Sequence, residues 1–155
     1  MSSPDVRRIP SAGGRLRTAH RAILTDTLAR LHQAGFTDVT YAQIPLFRHE
    51  GPDGRRPGEI AATAELSKQA ANDLLGQLER HGYLKREPHP ANGRARLVHL
   101  TARGRLLDAA IWQAGRDIEQ AWRERVGEPE WSVFREVLER LAQADPADPR
   151  REPAP

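Results

Sequence analysis

Between Leu66 and Leu100 the spacing of apolar residues switches period once, and that switch limits the folds open to the chain. Ser67 is a good helix cap, and Ala70, Ala71, Leu74, Leu75 and Leu78 recur at helical spacing until Gly82, so a helix is predicted over 68–81. The stretches Tyr83 to Glu87 and Arg96 to Leu100 read instead as two short strands. Between them lies Pro88-His-Pro-Ala-Asn-Gly93, in which Asn92-Gly93 is a hairpin turn signal. Upstream, Glu59 to about Thr63 reads as a short helix with Ile60 and Ala61 facing inward, and Leu66-Ser67 as a turn.

The flanks are helical. Leu16, Ala19, Ile23, Leu24, Leu28 and Leu31 mark a first helix that Gly35 stops. Thr40 can cap a second helix, Tyr41 to His49, weakened by Pro45. Glu50 to Gly58 is a loop by composition. Thr101 can cap a long helix to about Arg125, with an apolar line through Leu107, Ile111, Ala114, Ile118, Ala121 and Trp122. Pro129 opens a last helix carrying Phe134, Val137, Leu138 and Leu141. The fold class expected is mainly α with a small β-hairpin wing, a winged helix-turn-helix over about 40–100. Helices over about 15–34 and 101–143 are expected to dimerise, and the whole forms a single domain over 15–144. A disordered arm is expected over 1–14 and a disordered tail over 145–155.

Ala61 suits the helix crossing of a helix-turn-helix, and Ile60, Ala64, Leu66, Ala71 and Leu74 suit the supports. The turn ordinarily wants glycine where this chain has Glu65, and a left-handed glutamate costs roughly 1 kcal/mol. An ordinary helical hairpin is the other reading of the two helices, and the hairpin that follows them favours the winged form.

Charge localises the partner. The chain of 155 residues carries a net +3, but residues 80–106 hold seven Arg and Lys against Glu87 alone, a net +6, and residues 107–155 have a net −4. A basic middle beside an acidic third suggests contact with a polyanion in one region. Cysteine is absent, which excludes disulfides, thiolate metal sites and cysteine redox sensing. No apolar run approaches the roughly 20 residues of a membrane span, and Met1 to Arg17 has no signal-like apolar core, so a cytoplasmic location with no membrane contact is expected. The six histidines show no paired spacing, and no nucleophile–base pair or phosphate loop is evident, so neither a metal, a cofactor nor an enzyme is expected.

On the helix predicted over 68–81, Gln69, Asp73, Gly76 and Arg80 point most directly away from the apolar line, flanked by Lys68, Asn72 and Gln77, with Ser67 at its start. Gln and Asn can each pair with adenine, Asp can accept from cytosine, and Lys can reach guanine. Gly76 would cost roughly 1 kcal/mol inside a helix, which is easier to understand if the backbone must approach something closely. In the hairpin, Lys85 and Arg86 lie on one strand, and Asn92, Arg94 and Arg96 at and after the turn, where an arginine can enter a narrowed minor groove. Arg55 and Arg56 are phosphate-contact candidates, or else a flexible charged loop.

Leu66-Ser-Lys-Gln-Ala-Ala-Asn-Asp-Leu-Leu-Gly-Gln-Leu-Glu-Arg-His-Gly-Tyr-Leu-Lys-Arg86, then Pro90-Ala-Asn-Gly-Arg-Ala-Arg-Leu-Val-His-Leu-Thr101 and Gly104, resembles MarR-family regulators. The similarity is clearest over about residues 40–105. The resemblance implies a homodimeric transcriptional regulator, commonly a repressor, on a pseudo-palindromic duplex, responsive to a small aromatic effector. In that family the wing carries Asp-x-Arg. The matching residues here are Asn92, Gly93 and Arg94, so the arginine is kept and the orienting acid is replaced by an amide, which loses the charge pairing.

The helix from Thr101 to Arg125 would span roughly 37 Å, longer than a small winged-helix core can cover, which also points to a dimer. His20, Tyr41, Phe47 and Trp112 are candidate effector contacts, each also readable as core or surface. The competing function is a winged helix used only for protein interaction.

Overall fold

The computed structural model describes residues 11–47 and 51–143, with Arg94 as backbone only. Helix α1 runs Ala12–Gln33. It starts three residues earlier than its expected boundary because Ser11 Oγ accepts from Gly14 N at 3.1 Å, a cap that offsets the poor propensity of Gly13-Gly14. The rest of the expected arm, residues 1–10, and the tail at 145–155 lie outside the described residues.

The expected helix at Tyr41 is a 3₁₀ helix, Tyr41–Phe47, with Pro45 inside it. Pro45 lacks the amide that an α-helical ladder would draw back to Tyr41, so the tighter turn forms. Thr40 contributes main-chain atoms rather than a side-chain cap: its N–H donates to Gln43 Oε1 at 2.9 Å, and its carbonyl accepts from Gln43 N at 3.0 Å. The last two residues of the expected helix, Arg48 and His49, lie outside the described residues.

Helix α2 is Pro57–Thr63 and α3 is Lys68–Arg80. Helix α2 opens two residues earlier than expected because Pro57 suits the first turn, where no amide is needed. The turn between the helices is a Schellman motif: Leu66 N–H reaches Ala61 O at 2.9 Å and Glu65 N–H reaches Ala62 O at 3.1 Å. This geometry demands a left-handed residue, and Glu65 takes it with φ +56°. Helix α3 ends with the same pair of bonds, Tyr83 to Leu78 and Gly82 to Glu79, but there a glycine, Gly82, holds the left-handed position with φ +76°.

Strands β1 (Leu84–His89) and β2 (Asn92–Leu100) pair antiparallel, with Leu84 opposite Leu100 and Arg86 opposite Val98. The tight turn is Pro90-Ala91, not the expected Asn92-Gly93, which belongs to β2. Register shifts between Pro88, opposite Arg96, and His89, opposite Asn92, so Gly93, Arg94 and Ala95 form an irregularity on β2. Proline at 88 cannot donate to the ladder and proline at 90 fixes φ for a turn, which together move the reversal upstream. The loop before α2 joins the sheet by a bridge, with Gly54 N donating to Val98 O at 2.7 Å and Val98 N to Arg55 O at 2.9 Å.

Helix α4 (Ala102–Val126) is capped by Thr101, whose Oγ1 accepts from Gly104 N at 3.0 Å and donates to Gly82 O at 2.6 Å. At Gly104 a Cβ would stand 2.0 Å from Tyr83 O, so only glycine lets α4 start this close to β1. The chain divides within α4 into one compact unit up to Arg116 and a second from Asp117. The core of the first gathers Leu31, Phe47, Ile60, Ala61, Ala71, Leu75, Leu78, Tyr83, Val98 and Leu107, with Leu66 and Leu74 packed on its edge, as a helix-turn-helix requires. In the second, Gly127 joins the end of α4 to α5 (Glu128–Gln143), Ile118 and Trp131 are buried, and the Trp131 and Phe134 rings lie 5.6 Å apart. No described helix is long and apolar enough to cross a membrane.

Candidate nucleic-acid interface

Ser67 fixes the start of α3 through Oγ, which accepts from Ala70 N at 3.1 Å. With Ala71, Leu75 and Leu78 buried, the opposite face exposes Lys68, Gln69, Asn72, Asp73 and Arg80. These residues are the ones expected to meet base edges, and the fold brings them onto one side of one helix. Gly76 is half-buried, and a Cβ there would meet only Arg80 Nη1, at 3.6 Å. Among the described residues, no contact explains glycine at this position.

The wing is less uniformly cationic than its composition suggests. Lys85 is exposed, but its Nζ lies 2.7 Å from Glu87 Oε1 on the same strand. The hydrogen bond from Lys85, with its charge, holds the Glu87 carboxyl below the usual range. Arg96 and Asn92 are exposed on β2. Arg94 lies between them in the β2 irregularity.

Arg86, expected to face DNA, turns inward against α3. Its Nη1 donates to Asn72 Oδ1 at 3.3 Å and its Nη2 to Asn72 O at 3.2 Å, while Nε lies 3.3 Å from Glu79 Oε2. Arg55 likewise has internal partners: Nη2 donates to Thr63 Oγ1 at 2.7 Å and to Glu59 O, and Nη1 to Gly51 O, the latter two at 3.4 Å. It braces the loop against α2 rather than projecting toward a phosphate, because the several donors of one guanidinium can serve a helix flank and a loop carbonyl together. Arg56 is exposed at the head of α2, where its N–H donates to Glu59 Oε2 at 3.0 Å.

Two sets of organising residues escape a reading of the sequence. Opposite charges on Glu79 and Arg86, flanking the Gly82 turn, were a usable signal for their pairing. Nothing local signals the bracket of Asp38, Tyr83 and Arg103, which ties the loop after α1 to the roots of the wing and of α4: Arg103 Nη2 donates to Asp38 Oδ2 and to Tyr83 Oη, both at 2.9 Å. Asp53 does similar work, accepting from Leu100 N at 2.6 Å.

Of the effector candidates, His20 and Tyr41 come together in an open groove with Leu16, Arg17 and Arg21. Phe47 is not available to it, being buried in the core, because the 3₁₀ turn points it inward. Trp112 is exposed on α4. Among the described residues, no cluster of His, Cys, Asp and Glu is arranged to hold a metal.

Residues 34–95 match the model of the MarR family. The transcriptional regulator HosA of Escherichia coli O111:H- is 28% identical over 85 residues, 55% of this chain and 63% of HosA, so the match spans just under two thirds of that relative. Among solved structures, that of MarR is 28% identical with a TM-score of 0.70, covering 92% of this chain and 94% of that one. The Mycobacterium tuberculosis MarR family protein RV2887, solved with salicylic acid, is 26% identical with a TM-score of 0.65, covering 88% of this chain and 99% of that one. The recognition segment is thus similar in sequence to the MarR family, and nearly the full length is similar in fold to the winged helix-turn-helix structures of that family.

Proposed function

We propose that this chain binds duplex DNA in a sequence-dependent way as a homodimer, and represses transcription until a small aromatic effector releases it. The observation that carries the reading is the outer face of α3: five polar or charged side chains, exposed on a helix whose N-terminus is fixed by Ser67, beside a wing bearing Lys85 and Arg96. A helix presented in this way suits the major groove, with its first turns on base edges. Arg94, with Asn92, is assigned to the minor groove. The winged helix-turn-helix over about 40–100 is taken as the reading head, and α1, α4 and α5 as the dimerising elements of a single domain.

The groove of Arg17, His20, Arg21 and Tyr41 favours an aromatic acid as effector, since a ring can lie on Tyr41 while a carboxylate meets a guanidinium. Salicylic acid bound to RV2887 supports that class.

The test is selection of sites from random duplex DNA, followed by anisotropy titrations at about 50 and 200 mM salt. The expected outcome is an enriched pseudo-palindrome whose affinity falls by orders of magnitude as salt rises. Equal affinity for selected and random duplexes would leave a protein-interaction module as the better account.

A further inference from the structure

We propose that Arg86 is a positioning residue for base recognition: it sets the orientation of the Asn72 carboxamide on α3 and contributes specificity without touching a base. The inference rests on reading α3 as the DNA-reading helix. A carboxamide has two faces of opposite chemistry, and rotation by half a turn exchanges acceptor for donor. In this chain the neighbours permit one orientation. The Arg86 guanidinium can only donate, and its Nη1 stands 3.3 Å from Asn72 Oδ1. The Lys68 carbonyl can only accept, and Asn72 Nδ2 donates to it at 3.0 Å. The flipped amide would set N–H against N–H and oxygen against oxygen.

The other prongs of Arg86 make it a fixed reference. Nη2 grips the Asn72 main-chain oxygen at 3.2 Å, so side chain and backbone of one residue are held by one planar fork. Glu79 lies 3.3 Å from Nε, and the Arg86 side chain is only 27% exposed. Once these bonds are made, Oδ1 retains a second lone pair and Nδ2 a second hydrogen. That pair, in that order, is what asparagine uses on the N6 and N7 edge of adenine. The rotamer is ordered before binding, so less of the recognition energy is lost to ordering it.

The experiment takes the full chain and a selected duplex, with every single base-pair substitution of that duplex, and compares the parent with Asn72→Ala, Arg86→Lys, the double variant and Glu79→Gln. Lysine keeps the charge but has no fork. The expected result is that Asn72→Ala flattens the preference at one base pair, and Arg86→Lys flattens the same base pair by about fivefold to tenfold while other positions keep theirs. The double variant should lose no more than Asn72→Ala alone, and Glu79→Gln should show a smaller loss at the same position. A uniform loss across all duplexes with Arg86→Lys would make it a phosphate contact, a loss at a different base pair would make it a direct reader, and no loss would leave it structural; each overturns the proposal. Thermal unfolding of each variant checks the fold, and if Arg86→Lys unfolds, Glu79→Gln decides by the same criteria. A parent without base-pair preference would overturn the DNA-reading proposal itself, whereas a selective parent with an equally selective Arg86→Lys overturns this inference alone.

Discussion

Glu65 shows how a single side chain can stand where its backbone is unfavourable and still be native. Its φ of +56° follows from the Schellman bonds that join α2 to α3, and the bonds to Ala61 and Ala62 offset a cost of about 1–2 kcal/mol. Tyr83 is a second residue whose surroundings alter its chemistry. Burial first, and then its hydrogen bond to Asp38, raise the phenol from 10.0 to about 12. Burial opposes ionisation of Asp38, but bonds from Tyr83 and its own backbone, with the charge and hydrogen bond of Arg103, outweigh it and hold the carboxyl below 3.8. The linkage signs differ. The Tyr83 contribution is full below pH 10 and is lost as pH rises toward 12, whereas that of Asp38 is present above pH 3.8 and is lost as pH falls through its lowered value. Urea unfolding at about pH 9 and about pH 11.5 is expected to show a loss on the order of 2 kcal/mol in the parent attributable to Tyr83, and Tyr83→Phe should remove that part of the slope. An equal slope in both proteins would show that the phenol does not carry the alkaline loss.

At the scale of elements, what the sequence made legible was local. Ser67 and Thr101 each cap the helix predicted to start beside them, and the left-handed position at 65 was identifiable from the helix spacing around it. The hairpin was legible as a hairpin but not in register, because two prolines outside the Asn-Gly pair moved the turn. The inward role of Arg55 was not legible, since a basic residue looks the same in sequence whether it faces a carbonyl or a phosphate, and that of Arg86 was signalled only by the opposite charge on Glu79 across the Gly82 turn. The displaced turn gives a test. A two-residue Asn-Gly turn would hold Gly93 in a left-handed conformation and make alanine costly there. In the observed wing Gly93 lies in β2 without positive φ, exposed, with nothing within 4 Å of where an added methyl would stand. Gly93→Ala is therefore expected to change unfolding stability by no more than about 0.5 kcal/mol. A loss above about 1 kcal/mol would restore the turn to Asn92-Gly93.

For the whole molecule, the question is what covers the exposed apolar residues of the segment after Asp117. Val133, Val137 and Leu141 recur every fourth residue along α5 and are 61%, 43% and 57% exposed, and Val126 at the end of α4 is 49% exposed. One exposed valine is ordinary, but three large apolar side chains in a line along one helix form a stripe that a second copy can cover in a dimer. Removing that stripe from water contributes about 25 cal/mol for each Å² covered, without any requirement for charge pairing. The net −4 of residues 107–155 opposes association of two copies, so a dimer is expected to become firmer as salt screens that repulsion, while binding to DNA is expected to weaken. Light scattering at micromolar concentration is expected to give twice the 17.3 kDa chain mass. Val137→Glu should shift the protein toward monomer and weaken binding to a duplex carrying two half-sites about 10 bp apart far more than binding to a single half-site. If the parent is a clean monomer, the pseudo-palindromic operator loses its physical basis. If Val137→Glu remains a dimer with full operator affinity, the stripe on α5 does not form the interface, and the dimer must be held by α1 and α4 instead.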